Sequence, residues 1–127
     1  MTDIVELIST FDFEPTVERL TKAIEKAGMT IFAQIDHAAA ARMVDLEMPP
    51  TIVLIYGNPR GGTPVMLATP NGALDLPLRV LIRQDLAGPV HVVYHRITGA
   101  LSEAGVPAEM AARLEPAQQL ISAALVR

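Results

Sequence analysis

The six residues 51–56 (TIVLIY) constrain the fold most, because they form an apolar run with chain breakers on both sides. Pro49 and Pro50 precede the run, and Gly57 follows it. A short apolar run bounded in this way is typical of a buried strand, and the lack of polar alternation predicts that both faces are covered. The rest of the chain must therefore supply the strands and helices that surround this segment.

Other segments supply those elements. Further strands are predicted at 4–10, 30–35, 78–84 and 90–95, where apolar or alternating runs end at turn residues. Helices are predicted at 14–27, 37–45, 63–68, 97–104, 107–114 and 116–126, from helical spacing or from proline and glycine at their ends. This order predicts one domain over residues 1–127, an α+β two-layer sandwich. Its mixed β-sheet would have about five strands, with helices mainly on one face.

Composition limits the classes of partner. The 127 residues carry a net charge of −4, and 4% are aromatic, whereas nucleic-acid-binding surfaces are usually basic and often aromatic. We therefore expect no nucleic-acid partner. Half of the residues are hydrophobic and 19% are charged, which favours a homo-oligomer. An alanine-rich domain without any partner explains the same percentages.

The N-terminal sequence and the lack of long apolar runs indicate a cytoplasmic location. Asp3 and Glu6 stand where a signal peptide would carry lysine or arginine. No run approaches the roughly 20 apolar residues that span a bilayer, so no membrane contact is expected. The chain has no cysteine, which excludes disulfides, thiolate metal sites and a cysteine nucleophile.

Histidine spacing argues against a metal centre. His91 and His95 are four residues apart on a predicted strand. Their Cα atoms would be about 13 Å apart at about 3.3 Å per residue, which no single ion bridges. We expect solvated or edge-strand histidines, no metal site and no cofactor.

Asp36 and His37 lie where a predicted strand ends and a helix begins. Such junctions expose polar groups to clefts, and His37 is a candidate general acid or base with Asp36 beside it. The alternative is structural, since an aspartate at this position caps a helix and the histidine then lies in its first turn.

The segment 57–63 is a strand–glycine-rich loop–helix unit. Backbone N–H groups at a helix start bind anions, and Arg60 would add a positive charge. A second N-cap and first-turn proline pair, Thr63-Pro64, would start the helix. The loop lacks the lysine and the glycine spacing of a Walker A motif. A tight structural turn is the alternative.

Several separated motifs resemble domain-of-unknown-function family 302. In chain order they are IDHA (35–38), PT (50–51), IYGNP (55–59), GTP (62–64) and DLP (75–77). The resemblance covers about residues 17–94. It raises the weight on nine positions: Asp36, His37, Tyr56, Gly57, Asn58, Pro59, Thr63, Pro64 and Asp75.

The resemblance implies a small two-layer α/β domain with a topology like that of TATA-binding-protein-like folds. It also implies a homodimer, while no activity, cofactor or substrate is established for the family. One departure follows Tyr94, where members often carry an asparagine-rich segment and this chain has His95-Arg96-Ile97. A role for that segment is therefore not expected here.

Together these features predict a homodimeric binding module for a small, possibly anionic, ligand. The site would be a cleft between Asp36-His37 and the loop 56–63, provided that the second and third strands are parallel neighbours. The proposed ligand-binding residues are Tyr56, Gly57, Asn58, Pro59, Arg60, Thr63 and Asp75. One alternative is an enzyme with His37 as general acid or base. Another is a structural or protein-interaction domain in which these residues cap helices and form turns.

Overall fold

The structure is a computed structural model that describes residues 3–127. Its five strands are β1 (Ile4–Ser9), β2 (Thr30–Asp36), β3 (Thr51–Gly57), β4 (Leu78–Gln84) and β5 (Val90–His95). Its α-helices are α1 (Phe13–Lys26), α2 (His37–Arg42), α3 (Pro59–Ala68), α4 (Ile97–Glu103), α5 (Ala108–Ala112) and α6 (Pro116–Ala124). A 3₁₀ helix, Pro70–Asp75, precedes β4. The five predicted strands are therefore confirmed.

The strands form one sheet in the order β1-β5-β4-β3-β2. The α+β class is confirmed, but the prediction of a mixed sheet is wrong, because every neighbouring pair is antiparallel. Between β2 and β3 the only helix is α2, whose six residues span about 9 Å. In the register of the two strands Asp36 is opposite Ile52, so the chain reverses its direction at the end of β2. β3 consequently begins where β2 ends.

The hydrophobic core lies between one face of the sheet, called the inner face, and the helices. Leu54, Val80 and Val92 are fully buried on three adjacent strands. The helices contribute fully buried side chains to the same core, namely Leu20, Ile24, Leu101 and Ile121. Burial of this apolar surface is the main stabilising contribution to the fold.

The opposite face, called the outer face, differs from the prediction for the apolar run. On β3, Ile52 and Leu54 are buried, whereas Val53 and Ile55 keep part of their surface exposed. The helices thus cover β3 on one face only. The outer residues are shielded sideways by neighbouring strands, as in antiparallel sheets with one open face.

Helix α3 begins earlier than the sequence pattern predicts. Asn58 is its N-cap and Pro59 its first residue, so Thr63 and Pro64 lie inside the helix instead of starting it. Asparagine followed by proline combines a capping side chain with a pre-set helical φ, which explains the earlier start. This start places the glycines of the loop within the first turns of α3.

Candidate functional site

The two halves of the predicted site lie at opposite ends of a strand pair. In the register of β2 and β3, Thr30 is opposite Gly57, and Asp36 is opposite Ile52. The six residue steps of β2 between Thr30 and Asp36 correspond to about 20 Å. The prediction of one cleft formed by Asp36-His37 and the loop 56–63 is therefore wrong. Its premise, a parallel strand pair, fails because the pair is antiparallel.

Asp36 acts as a helix cap. Its Oδ1 accepts a hydrogen bond of 2.9 Å from the backbone N–H of Ala39, in the first turn of α2. His37 is exposed and makes no side-chain hydrogen bond within residues 3–127. Asp36 lines an open groove between α1 and β2. The structural interpretation accounts for the contacts of this pair.

The loop 57–63, whose residues 59–63 form the first turns of α3, uses its own backbone donors. The N–H of Arg60 donates to Asn58 Oδ1, and the N–H groups of Gly61 and Gly62 both donate to the Asn58 carbonyl, each at 2.9 Å. Residues 60–62 consequently have no N–H left for an anion. The side chain of Arg60 is exposed to solvent. The geometry thus removes the donors on which the anion prediction depended.

A cavity of about 190 Å³ lies against this loop and is called the loop cavity. Gly57, Asn58 and Pro59 line it where β3 ends, and Gly62 and Thr63 line it from α3. Four of the predicted ligand-binding residues, Gly57, Asn58, Pro59 and Thr63, therefore surround one cavity.

The opposite wall of the loop cavity comes from distant parts of the chain. Met29 and Phe32 line it from the start of β2, Leu76 and Pro77 from the segment before β4, and Leu114 from the segment before α6. The Leu76–Pro77 peptide bond is cis. Sequence reasoning did not assign these residues to a site, because apolar residues spread over the chain carry no local signal that they meet.

Glycines determine the width of the loop cavity. A Cβ at Gly62 would lie 3.8 Å from Leu76 Cδ1 and from Met66 Cε, and one at Gly61 would lie 3.4 Å from Leu114 Cδ2. These are ordinary van der Waals separations, so a side chain would occupy space that is now open without forcing the backbone apart.

Tyr56 is hydrogen-bonded to a residue in the wall of the loop cavity. Its side chain is fully buried, and its hydroxyl donates a 2.9 Å hydrogen bond to the carbonyl of Ala117, a residue that lines the loop cavity. Burial raises the pKa of Tyr56 far above its usual value. Tyr56 thus positions α6 beside the loop, and its hydroxyl points at the protein backbone.

Asp75 lies outside the loop cavity. It lines a separate, smaller cavity of about 130 Å³ together with Arg79, His95 and Gln118. Gln118 is buried and joins two elements there, since its amide donates to the His95 carbonyl and accepts from the N–H of Ile97. Of the DLP motif, only Leu76 and Pro77 reach the loop cavity.

His91, one of the two histidines on β5, contacts two carboxylates. His91 Nδ1 lies 3.0 Å from Glu6 Oε2, and its Nε2 lies 2.9 Å from Asp85 Oδ2. Hydrogen bonds from His91 and then from Arg83 hold the pKa of Asp85 below its usual value. β5 lies between β1 and β4, so these histidines are not on an edge strand. Within residues 3–127, no group of three or more His, Cys, Asp or Glu residues has the arrangement of a metal site.

Comparison with known proteins identifies the family. The family model described as "Domain of unknown function DUF302" matches residues 5–126. The chain belongs to this family. The DUF302 fold is also seen in a solved structure, the crystal structure of uncharacterized conserved protein DUF302 from Bacillus stearothermophilus. That structure matches with a TM-score of 0.84 and 20% sequence identity, covering 98% of this chain and 97% of the other. The likeness shows the shared fold.

Curated relatives match part of the DUF302 chain. "Fluoride-specific ion channel FluC 1" of Brucella suis biovar 1 is 37% identical over 87 residues, which are 68% of this chain and 34% of the relative. "Fluoride-specific ion channel FluC 2" of Brucella melitensis biotype 1 is also 37% identical, over 68% of this chain and 32% of the relative. The match thus spans about a third of these relatives. Among residues 3–127, no helix combines the length and apolarity needed to cross a bilayer.

Proposed function

We propose that this DUF302 chain is a binding module for a small ligand and that the ligand occupies the loop cavity. One observation carries the proposal. Three separated motifs, around Gly57-Asn58-Pro59, Gly62-Thr63 and Leu76-Pro77, meet at the walls of a single cavity. Ligand sites in proteins are usually preformed, mostly apolar and edged by a few polar groups, and the loop cavity has these properties.

A catalytic role for His37 has less support from the contacts. The side chain is exposed, and the neighbouring Asp36 carboxylate is engaged as a helix cap. A general acid or base works best where its surroundings orient it toward a bound substrate. His37 therefore serves as a control position in the experiment that tests the binding proposal.

The test is a thermal-shift and ligand-observed NMR screen of small fragments against the purified chain. A ligand that binds only the folded state raises the unfolding midpoint. Gly62→Leu, which places a side chain in the loop cavity, is expected to abolish the shift, and His37→Ala is expected to leave it unchanged. Circular dichroism shows whether each variant is folded, and Thr63→Val supplies a milder change if Gly62→Leu is not.

Two results would contradict the proposal. The first is a screen in which no fragment raises the midpoint. The second is a set of hits that bind folded Gly62→Leu as well as the original chain, because the ligand would then bind elsewhere.

The curated relatives make fluoride a second candidate ligand. The observation in its favour is the name of those relatives, together with 37% identity over 87 residues. The loop geometry offers less support, because the N–H groups of Gly61 and Gly62 are already bonded. Sodium fluoride, with sodium chloride as the matched control, belongs in the same thermal-shift screen.

We also propose that the partner of the chain is a second copy, bound through the outer face of the sheet. A row across that face is mostly apolar, since Val93, Leu81, Val53 and Ile35 are successive cross-strand neighbours. Exposed apolar patches of this kind often mark protein interfaces. Ile35 is 42% exposed, so the row has surface left to bury.

The size of the outer face suits a modest interface. Strands spaced about 4.8 Å apart, with about 3.4 Å per residue, give the five strands a flat area of roughly 500 Å². Two such faces bury about 1,000 Å², the lower limit for a specific interface.

Light scattering after size exclusion is expected to show a dimer that Val53→Lys converts to monomer. The control is Leu86→Lys at a hairpin position that is 92% exposed, and a monomer at all concentrations of the original chain would refute this interface.

A further inference from the structure

We infer that the loop cavity takes an uncharged group of about the size of a benzene ring, held by one neutral polar end at Asn58. The inference rests on the proposed binding function and specifies the chemical class of its ligand. Four properties of the cavity lead to it: its volume, the absence of charge, the state of its polar atoms and the side chains near its opening.

The volume sets the size of the bound group. Apolar protein cavities of about 150 Å³ take up benzene. The loop cavity, at about 190 Å³, therefore has room for one ring or one branched aliphatic chain of similar bulk. A nucleotide or a sugar phosphate exceeds this volume and would leave most of its atoms outside.

The absence of charge excludes ions from the cavity. None of the residues that line it is acidic, basic or histidine. Moving a carboxylate or an ammonium group from water into such surroundings is costly unless an opposite charge or several hydrogen bonds compensate. The backbone donors at Gly61 and Gly62 do not compensate, because both are bonded to the Asn58 carbonyl.

Polar contact is available at one edge. Asn58 Oδ1 accepts from Arg60, which leaves the amide nitrogen of Asn58 without a hydrogen-bond partner within residues 3–127. Asn58 and Thr63 both line the cavity, and both residues are exposed. A carbonyl or hydroxyl on the ligand would form hydrogen bonds with these residues without introducing a charge.

The apolar wall suits a planar group. Phe32 lies where the register of β2 shifts, and its ring lines the cavity while remaining 50% exposed. Aromatic rings pack favourably in offset or edge-to-face geometry, and methionine sulfur adapts to ring edges. Met29 and Met66 line the same cavity, so the wall adjusts to rings of slightly different shape.

The experiment compares neutral and charged compounds with the same skeleton by NMR titration of the full chain. The pairs are benzamide with benzoate, and isovaleramide with isovalerate. We expect the amides to bind at least about tenfold more tightly than the acids at pH 7, because the acids bring a charge into an uncharged cavity. Phe32→Ala is expected to weaken the binding of benzamide by roughly threefold to tenfold. Leu67→Ala, on the exposed side of α3, is the matched control and is expected to have no effect.

The outcomes separate the two proposals. If the acids bind as well as the amides and Gly62→Leu blocks both, the inferred ligand class is wrong and the binding site stands. If all four compounds bind to folded Gly62→Leu unchanged, the site itself is wrong. If none of them binds while larger fragments bind in a manner sensitive to Gly62→Leu, the inferred size is wrong.

Discussion

Gly62→Ala is expected to stabilise the fold while it weakens ligand binding. Gly62 lies inside α3, where alanine is more favourable than glycine by about 0.8–1.0 kcal/mol. The new Cβ would meet Leu76 and Met66 at 3.8 Å, a separation that adds contact without overlap. The free energy of unfolding should therefore rise by about 0.5–1 kcal/mol, and the midpoint by roughly 2–4 °C.

The measurement is urea and thermal unfolding followed by far-UV circular dichroism, since the chain has no tryptophan. Gly61→Ala is the matched control. Its Cβ would lie closer to a neighbour, 3.4 Å from Leu114, so its increase in the free energy of unfolding should be smaller. A Gly62→Ala protein that is less stable than the original would refute the reasoning. Either the helix would not begin at Pro59, or the cavity would be narrower than described.

Three further predictions concern stability. Tyr56→Phe removes the hydrogen bond to the Ala117 carbonyl and should cost about 1–3 kcal/mol in urea unfolding, because it leaves a carbonyl without its partner. Gly28→Ala should lower the free energy of unfolding by about 1 kcal/mol in the same assay, since Gly28 has a φ of +85° that disfavours a side chain. The pKa of Asp85 is lowered in the folded state, so its contribution is present above its unfolded pKa of about 3.8 and is lost as pH falls through the folded pKa. The original chain should therefore lose stability more steeply below pH 4 than Asp85→Asn does, and equal slopes would contradict the His91–Asp85 contact.

Several features of the fold follow from local sequence. Pro15 lies in the first turn of α1, Gly28 follows the C-cap residue of that helix, and the apolar run at 51–56 matches β3 almost residue for residue. These signals are reliable because proline and glycine act on the φ angles of their own residues, and because a short apolar run between chain breakers is visible within a few positions. The helix cap at Asp36 is equally local, since its hydrogen bond joins Asp36 to Ala39, three residues further along the chain.

The candidate site was predicted only in part, and the reason is the direction of one strand. Gly57, Asn58 and Pro59 were recognised as a loop that could bind a ligand, and they do line a cavity. Asp36 and His37 were placed beside them on the assumption of parallel strands. Direction depends on how the connecting segment packs, which no residue in β2 or β3 encodes by itself.

Local sequence thus determined the strands, most helix ends and the helix cap at Asp36 of this DUF302 chain, because each depends on residues within one or two turns. The tertiary structure alone decided the antiparallel order of the sheet, the uncovered outer face and the loop cavity. Met29 and Phe32, Leu76, and Leu114 meet across that cavity from three separate parts of the chain. Packing brings them together, and the glycines of α3 leave the space between them open.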